Sequence, residues 1–235
     1  MRLVFVAGAC LLTLVCAGLG VWQMQRRVWK LDLIARVDAR IHAPPAAAPG
    51  PVEWPRIDAA AYEYRRVALQ GRYLDIPETL TLAVTERGPG FWVLAPLRTQ
   101  AGFTVLVNRG FVPDDRRGAE ERRKVAGEEA RVVGLLRLSE PGGGFLRSND
   151  PAAGRWYSRD VAAIAQARGV SSVAPYFVDA DVASEPGPLP QGGMTQTGFR
   201  NTHLVYALTW FCLALMSAAA GIFLVRNRDE ETPAA

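Results

Sequence analysis

The chain contains two histidines, and one of them, His203, stands where an apolar run begins. Tyr206, Ala207 and Trp210 follow it at helical spacing, so the four residues share one face of a helix. A neutral imidazole can ligate a metal or exchange hydrogen bonds, and His203 therefore admits two readings. In the first it is an interfacial residue bonded to water or to a lipid headgroup. In the second it offers a ring nitrogen to haem iron, while Tyr206, Trp210 and Trp22 supply aromatic cover for a porphyrin face. A single histidine is too few for a closed bis-histidine site within a monomer; it suits transient holding.

Other chemistries lack their residues. His42 lies in a proline-rich stretch, which leaves no histidine for a triad or a three-histidine zinc site between the apolar runs. No GxSxG, P-loop or GxGxxG pattern is present. Cys10, Cys16 and Cys212 all fall inside the apolar runs, so the middle of the chain has no disulfide, CxxC pair or thiolate metal site. Packing is the reading for all three. Carboxylates are plentiful, and two suffice for a glycosidase, so a membrane-anchored carboxylate enzyme stands as a third-ranked reading. The net charge of +4 invites a nucleic-acid partner. However, the basic cluster Arg116, Arg117, Arg122, Arg123 and Lys124 is interleaved with Asp114, Asp115, Glu120 and Glu121 and has no aromatic platform. It reads as a solvated, self-neutralising loop, with no nucleic acid implied.

The elements that must position His203 are two membrane spans. No charged residue occurs from Leu3 to Gln25 or from Leu204 to Val225, and roughly 20 apolar helical residues cross a bilayer. The spans are placed at 3–25 and 203–225. The first resembles a signal peptide around Val15-Cys16-Ala17, but its apolar run continues to Trp22, so it reads as retained. Its start at the third residue argues against a mitochondrial transit peptide and for a bacterial membrane. Two spans make an antiparallel hairpin, which brings Trp22, Gln23, Arg26, His203, Tyr206 and Trp210 to one depth. Ala9, Thr13 and Ala17 on one helix and Ala214, Ala218 and Gly221 on the other permit close approach.

Residues 26–51 read as a helix extension followed by a proline-rich linker from His42 to Pro51, and 52–184 as a β-rich soluble domain. Strands are expected at Val67–Leu74, Thr79–Val84, Phe91–Leu97, Thr104–Arg109, Arg131–Leu138 and Ala174–Asp179. Gln100-Ala101-Gly102 makes a hairpin turn. A single short helix is expected, with Ser158 as N-cap, Asp160 in its first turn and Gly169 at its end. Gly71, at the end of an apolar strand, and Tyr73 read as structural. Residues 185–202 read as a second linker, flexible over Glu185–Gly193, and 226–235 as a cytoplasmic tail. The fold class is thus a membrane protein with two transmembrane helices flanking a β-rich soluble domain, a small barrel or sandwich with one short helix.

Four stretches carry a resemblance: LGVWQMQRRVWKLDLI (19–34), YRRVALQGRY (64–73), VLVNRGFVP (105–113) and GGMTQTGFRNTHLVYALTWF (192–211). Together they resemble the surfeit-locus cytochrome c oxidase assembly proteins nearly end to end. Phe111 stands where that family commonly has Trp, and Arg200 where Asn is frequent. The resemblance implies a non-enzymatic assembly factor that binds haem a and assists its insertion into the largest oxidase subunit, with haem a synthase as a further partner. It implies His203 as the axial ligand, with Trp22, Tyr206 and Trp210 around the cofactor. It also marks Gln23, Arg26, Gly71, Tyr73, Asn108, Arg109, Gly110 and Asn201 as structural or partner-contacting motif residues. The alternative is a haem-independent scaffold that stabilises an oxidase intermediate. The family arrangement puts both termini in the cytoplasm and the domain in the periplasm of a bacterial inner membrane. Arg26, Arg27, Lys30, Arg36 and Arg40 on the domain side outnumber Arg2, Arg226 and Arg228 at the termini. A literal positive-inside count would invert that arrangement, but long domains translocate largely regardless of charge.

Overall fold

A computed structural model describes residues 2–118, 122–144, 146–199 and 201–226. Glu120, Glu121, Arg200, Arg228 and the tail from residue 227 lie outside the described residues. The chain divides into two compact units, residues 1–36 with 198–235, and residues 37–197.

The first unit holds the greater part of α1 (Arg2–Ile41) and all of α4 (His203–Arg226). Both helices are long and apolar enough to cross a membrane. They run antiparallel: Arg2 Nε donates to the Leu224 carbonyl at 2.8 Å, and Ser217 Oγ to the Ala9 carbonyl at 3.0 Å. The inward positions, Ala9, Thr13, Cys16 and Gly20 against Ala207, Trp210, Ala214, Ser217 and Gly221, alternate four- and three-residue steps. That is the seam of a left-handed pair. Small side chains bring the backbones together: a Cβ on Gly221 would lie 3.3 Å from that of Ala9, and one on Gly20 would strike the Phe211 ring. Cys16 is buried in the seam, whereas Cys10 and Cys212 face outward.

The second unit is built on seven strands, β1 (Ala46–Ala47), β2 (Arg66–Tyr73), β3 (Thr79–Thr85), β4 (Gly88–Thr99), β5 (Thr104–Pro113), β6 (Glu129–Leu138) and β7 (Val173–Ala180), with the short helices α2 (Ala59–Tyr62) and α3 (Val161–Ala167). Strand order β2-β6-β7-β5-β4, with β4 returning to β2, closes a five-stranded barrel. β3 extends β4, β1 lies parallel to β2, and the β5–β7 pair is also parallel. Val67, Leu69, Leu97, Val105, Val107, Leu136, Tyr176 and Val178 belong to the main core. A second cluster sets Val161 and Ile164 of α3 with Trp156 against Leu94, Leu106 and Phe177. β5 is therefore covered on both faces, which is why its run VLVNRGFV is continuously buried instead of alternating, Asn108 and Arg109 included.

Closure of the barrel depends on Gly71. Gly71–Tyr73 of β2 pair with Leu97–Thr99 of β4 while the other edge of β2 holds β6. A Cβ at Gly71 would sit 2.0 Å from the Arg98 carbonyl oxygen and 2.8 Å from Thr99 Cα. Gly71→Glu is expected to cost upward of about 3 kcal/mol, the upper end for overpacking, because backbone must move. Membrane abundance and melting temperature of the purified variant check this; normal values for both with function lost would make the position functional instead of structural.

Three expectations change. The cap of α3 is Asp160, whose carboxylate accepts from Ala163 N at 3.1 Å. Ser158 lies too early to reach the helix; its hydroxyl accepts from Gly143 N and the Asn149 side chain. The proline-rich stretch after α1 is not a free linker. It supplies β1, and the Pro49 carbonyl accepts from the Tyr176 hydroxyl at 2.8 Å and from Trp54 Nε1 at 3.1 Å. Proline loses its N–H but keeps its acceptor. The stretch expected to be flexible, Glu185–Gly193, is anchored to the barrel: Glu185 and Leu189 are buried, and Gln191 and Phe111 exchange both backbone hydrogen bonds at 2.9 Å.

Candidate functional site

His203 is the first residue of α4. The Asn201 side-chain oxygen accepts from its backbone N–H at 3.4 Å, a local turn that holds the start of the helix. The His203 ring lies against α1, where Nδ1–H donates to Gln23 Oε1 at 2.7 Å. Both side chains are half-buried, at the position that continues the small-residue seam by one more step on each helix. With the proton on Nδ1, the Nε2 lone pair is the available donor, and it has no protein partner among the described residues.

The aromatic residues expected around the histidine stand on the same unit. Trp22 and Tyr206 are 50% and 54% exposed, and Trp210 is half-buried in the seam. Arg26 stacks over Trp29 at 4.7 Å, and Lys30 over Phe199 at 4.8 Å, forming a cationic and aromatic collar one and two turns beyond Gln23. Sequence reasoning placed Gln23 and His203 at one depth; their hydrogen bond was not legible there.

The remaining motif residues gather in the barrel. Arg109 is the extra residue of a β-bulge, since Val93 pairs with Gly110 but Leu94 with Asn108. The bulge aims its fully buried guanidinium at two carboxylates: Nε and Nη2 meet Glu185 at 3.1 and 2.9 Å, and Nη1 meets Glu78. Burial alone would lower the Arg109 pKa, but the Glu185 and Glu78 carboxylates outweigh it and hold the group above its ordinary value. Tyr73 points its hydroxyl at Glu185 from 3.5 Å, and burial together with that carboxylate pushes the phenol pKa up. Gly110 has φ +134°, and a Cβ there would lie 2.1 Å from the Gln191 carbonyl oxygen. Asn108 donates to Asp179 at 2.7 Å, and Asp179 also meets Arg159, Arg137 and Thr195. Asn108, Arg109, Gly110 and Tyr73 are thus interior scaffolding and present no surface to a partner.

Sequence reasoning missed Glu78, Glu185, Asp179 and Arg159, because nothing local distinguishes a buried charged side chain from a solvated one. A cavity of about 420 Å³ adjoins the first network, lined by Asp75, Glu78, Arg122, Arg123 and Lys124 among others. Its Glu78 is bound to both Arg109 and Arg122. A carboxylate held between two guanidinium groups is occupied in structure, which weakens the carboxylate-enzyme reading.

Comparison with known proteins agrees with the architecture. The SURF1 family profile matches residues 10–215, from the first span through the barrel into the second. Surfeit locus protein 1 of Mus musculus is 38% identical over 83% of this chain and 67% of its own length. The Homo sapiens protein of that name is 36% identical over 84% and 69%, and a SURF1-like protein of Monosiga brevicollis is 35% identical over 89% and 83%. With the match running through both helices and the barrel between them, the chain belongs to the SURF1 family.

Proposed function

We propose that this chain is an assembly factor for cytochrome c oxidase that holds haem a at His203 and assists its insertion into the largest oxidase subunit. The observation that carries the reading is the His203–Gln23 hydrogen bond, which occupies Nδ1 and leaves Nε2 as a donor. The residues fit such a cofactor: the His203 imidazole could hold its iron, exposed Trp22 and Tyr206 could lie against the macrocycle, and the cationic side chains beyond Gln23 could meet its carboxylates. Haem a, when bound, supplies an iron centre that accepts the imidazole lone pair. His203 donates, Gln23 holds the ring, and the helix seam fixes the distance between them. A lone imidazole beside exposed aromatic side chains would let such a group leave, as transfer to another protein requires. Haem a synthase and the largest oxidase subunit are the partners this reading implies, and the bilayer is the setting.

The test is an optical spectrum of detergent-purified protein from cells that make haem a. A haem a absorption band that copurifies with the chain is expected. Colourless protein from those cells would favour the scaffold reading, in which the barrel holds an oxidase intermediate without touching haem.

The proposal also requires the barrel to lie on the side of the membrane opposite the termini, the periplasm in a bacterial inner membrane. Alkaline phosphatase inserted between Pro44 and Pro51, in full-length protein expressed in bacteria, is expected to be active, since that enzyme matures only after export. An inactive phosphatase, with a cytoplasmic reporter active at the same site, would reverse the topology and overturn the role proposed for the barrel.

A further inference from the structure

We propose that Gln23 is the positioning residue of the site, setting the tautomer of His203 and, through its neutral charge, holding the imidazole as a donor of intermediate strength. The inference rests on the reading of His203 as an axial ligand. A neutral imidazole carries one N–H, and the partner of one nitrogen decides whether the other has a lone pair to give. Gln23 Oε1 can only accept, so at 2.7 Å it draws the proton to Nδ1. The Asn201 turn at the His203 backbone N–H fixes the start of α4, the point from which the ring reaches α1. The Gln23 hydrogen bond limits rotation of the ring and leaves Nε2 without a protein partner among the described residues.

The identity of the acceptor matters as much as its presence. A carboxylate in this place would pull the Nδ1 proton further and make Nε2 a stronger donor. An amide oxygen polarises the ring without adding charge. The amide therefore suits a protein that must surrender what it holds. Gln23 also clamps α1 to α4, so a purely structural role has to be separated from the electronic one.

Full-length protein in detergent, labelled with 15N-histidine, separates them without haem. The chain has two histidines, and His42→Gln leaves the signals of His203 alone. Wild type is expected to show the proton on Nδ1, and Gln23→Leu, which keeps much of the bulk, to shift the ring toward the Nε2–H form. In haem-loaded protein, Gln23→Leu should release haem about 10-fold faster, the low end for loss of a ligand's hydrogen-bond partner. Gln23→Glu should restore the Nδ1–H form and release haem more slowly than wild type. A clamp without electronic effect predicts equal release from Gln23→Glu and wild type. A wild-type ring protonated at Nε2, or a Leu variant with unchanged tautomer and unchanged release, overturns the proposal. Failure of the ligand reading is seen separately, as full haem retention by His203→Ala whatever the tautomer.

Discussion

Arg109→Leu is expected to destabilise the barrel by about 3–5 kcal/mol, the range for removing one partner of a buried ion pair. The side chain is fully buried and serves two carboxylates, of which Glu185 is itself buried. Leucine would fill part of the volume and leave Glu185 with the more exposed Arg123, at 3.6 Å, as its remaining ion-pair partner. Domains are commonly stable by only about 5–15 kcal/mol, so a loss of that size should deplete the protein from membranes. Arg109→Lys should recover little, because an ammonium cannot reproduce the forked geometry that reaches both carboxylates. The contrast is the exposed Arg72–Glu129 pair, 2.8 Å long, where Arg72→Ala should cost at most about 1 kcal/mol. Thermal unfolding of the detergent-purified variants measures all three. An Arg109→Leu protein that melts within about 2 °C of wild type would show that the network contributes nothing net.

His203→Ala carries the largest expected effect on function. It removes the Nε2 donor and the Gln23 bond while leaving the apolar run of α4 and its small-residue seam intact. Insertion and abundance should match wild type. Haem occupancy should fall at least about 10-fold, with residual holding by Trp22, Tyr206 and Trp210, and the oxidase should accumulate with less haem a. His203→Met should keep part of the binding, because a thioether also ligates haem iron. An alanine variant that copurifies with as much haem, and with the same spectrum, would show that another group holds it.

The two helices, most of the strands and the depth of the site were legible in the sequence because each rests on a local period. Uncharged runs long enough to span a bilayer mark α1 and α4 whatever they pack against, and short β-branched runs mark the barrel strands. The depth shared by Gln23 and His203 follows from counting residues inward from the two span ends. Whether those two side chains meet depends on how each helix is rotated about its axis, and packing of Ala9, Gly20, Ser217 and Gly221 decides that. The resemblance marked Asn108, Arg109 and Gly110 without revealing their work. A bulge exists only relative to the strand it opposes, and the partners of Arg109 lie 31 residues before it and 76 after it. Proline and glycine near 42–51 and 185–193 suggested free linkers because composition reports the loss of helix, not the fate of carbonyls. Pro49 and Gln191 place those carbonyls on Tyr176 and Phe111, and closure of the barrel is what brings such distant groups within reach.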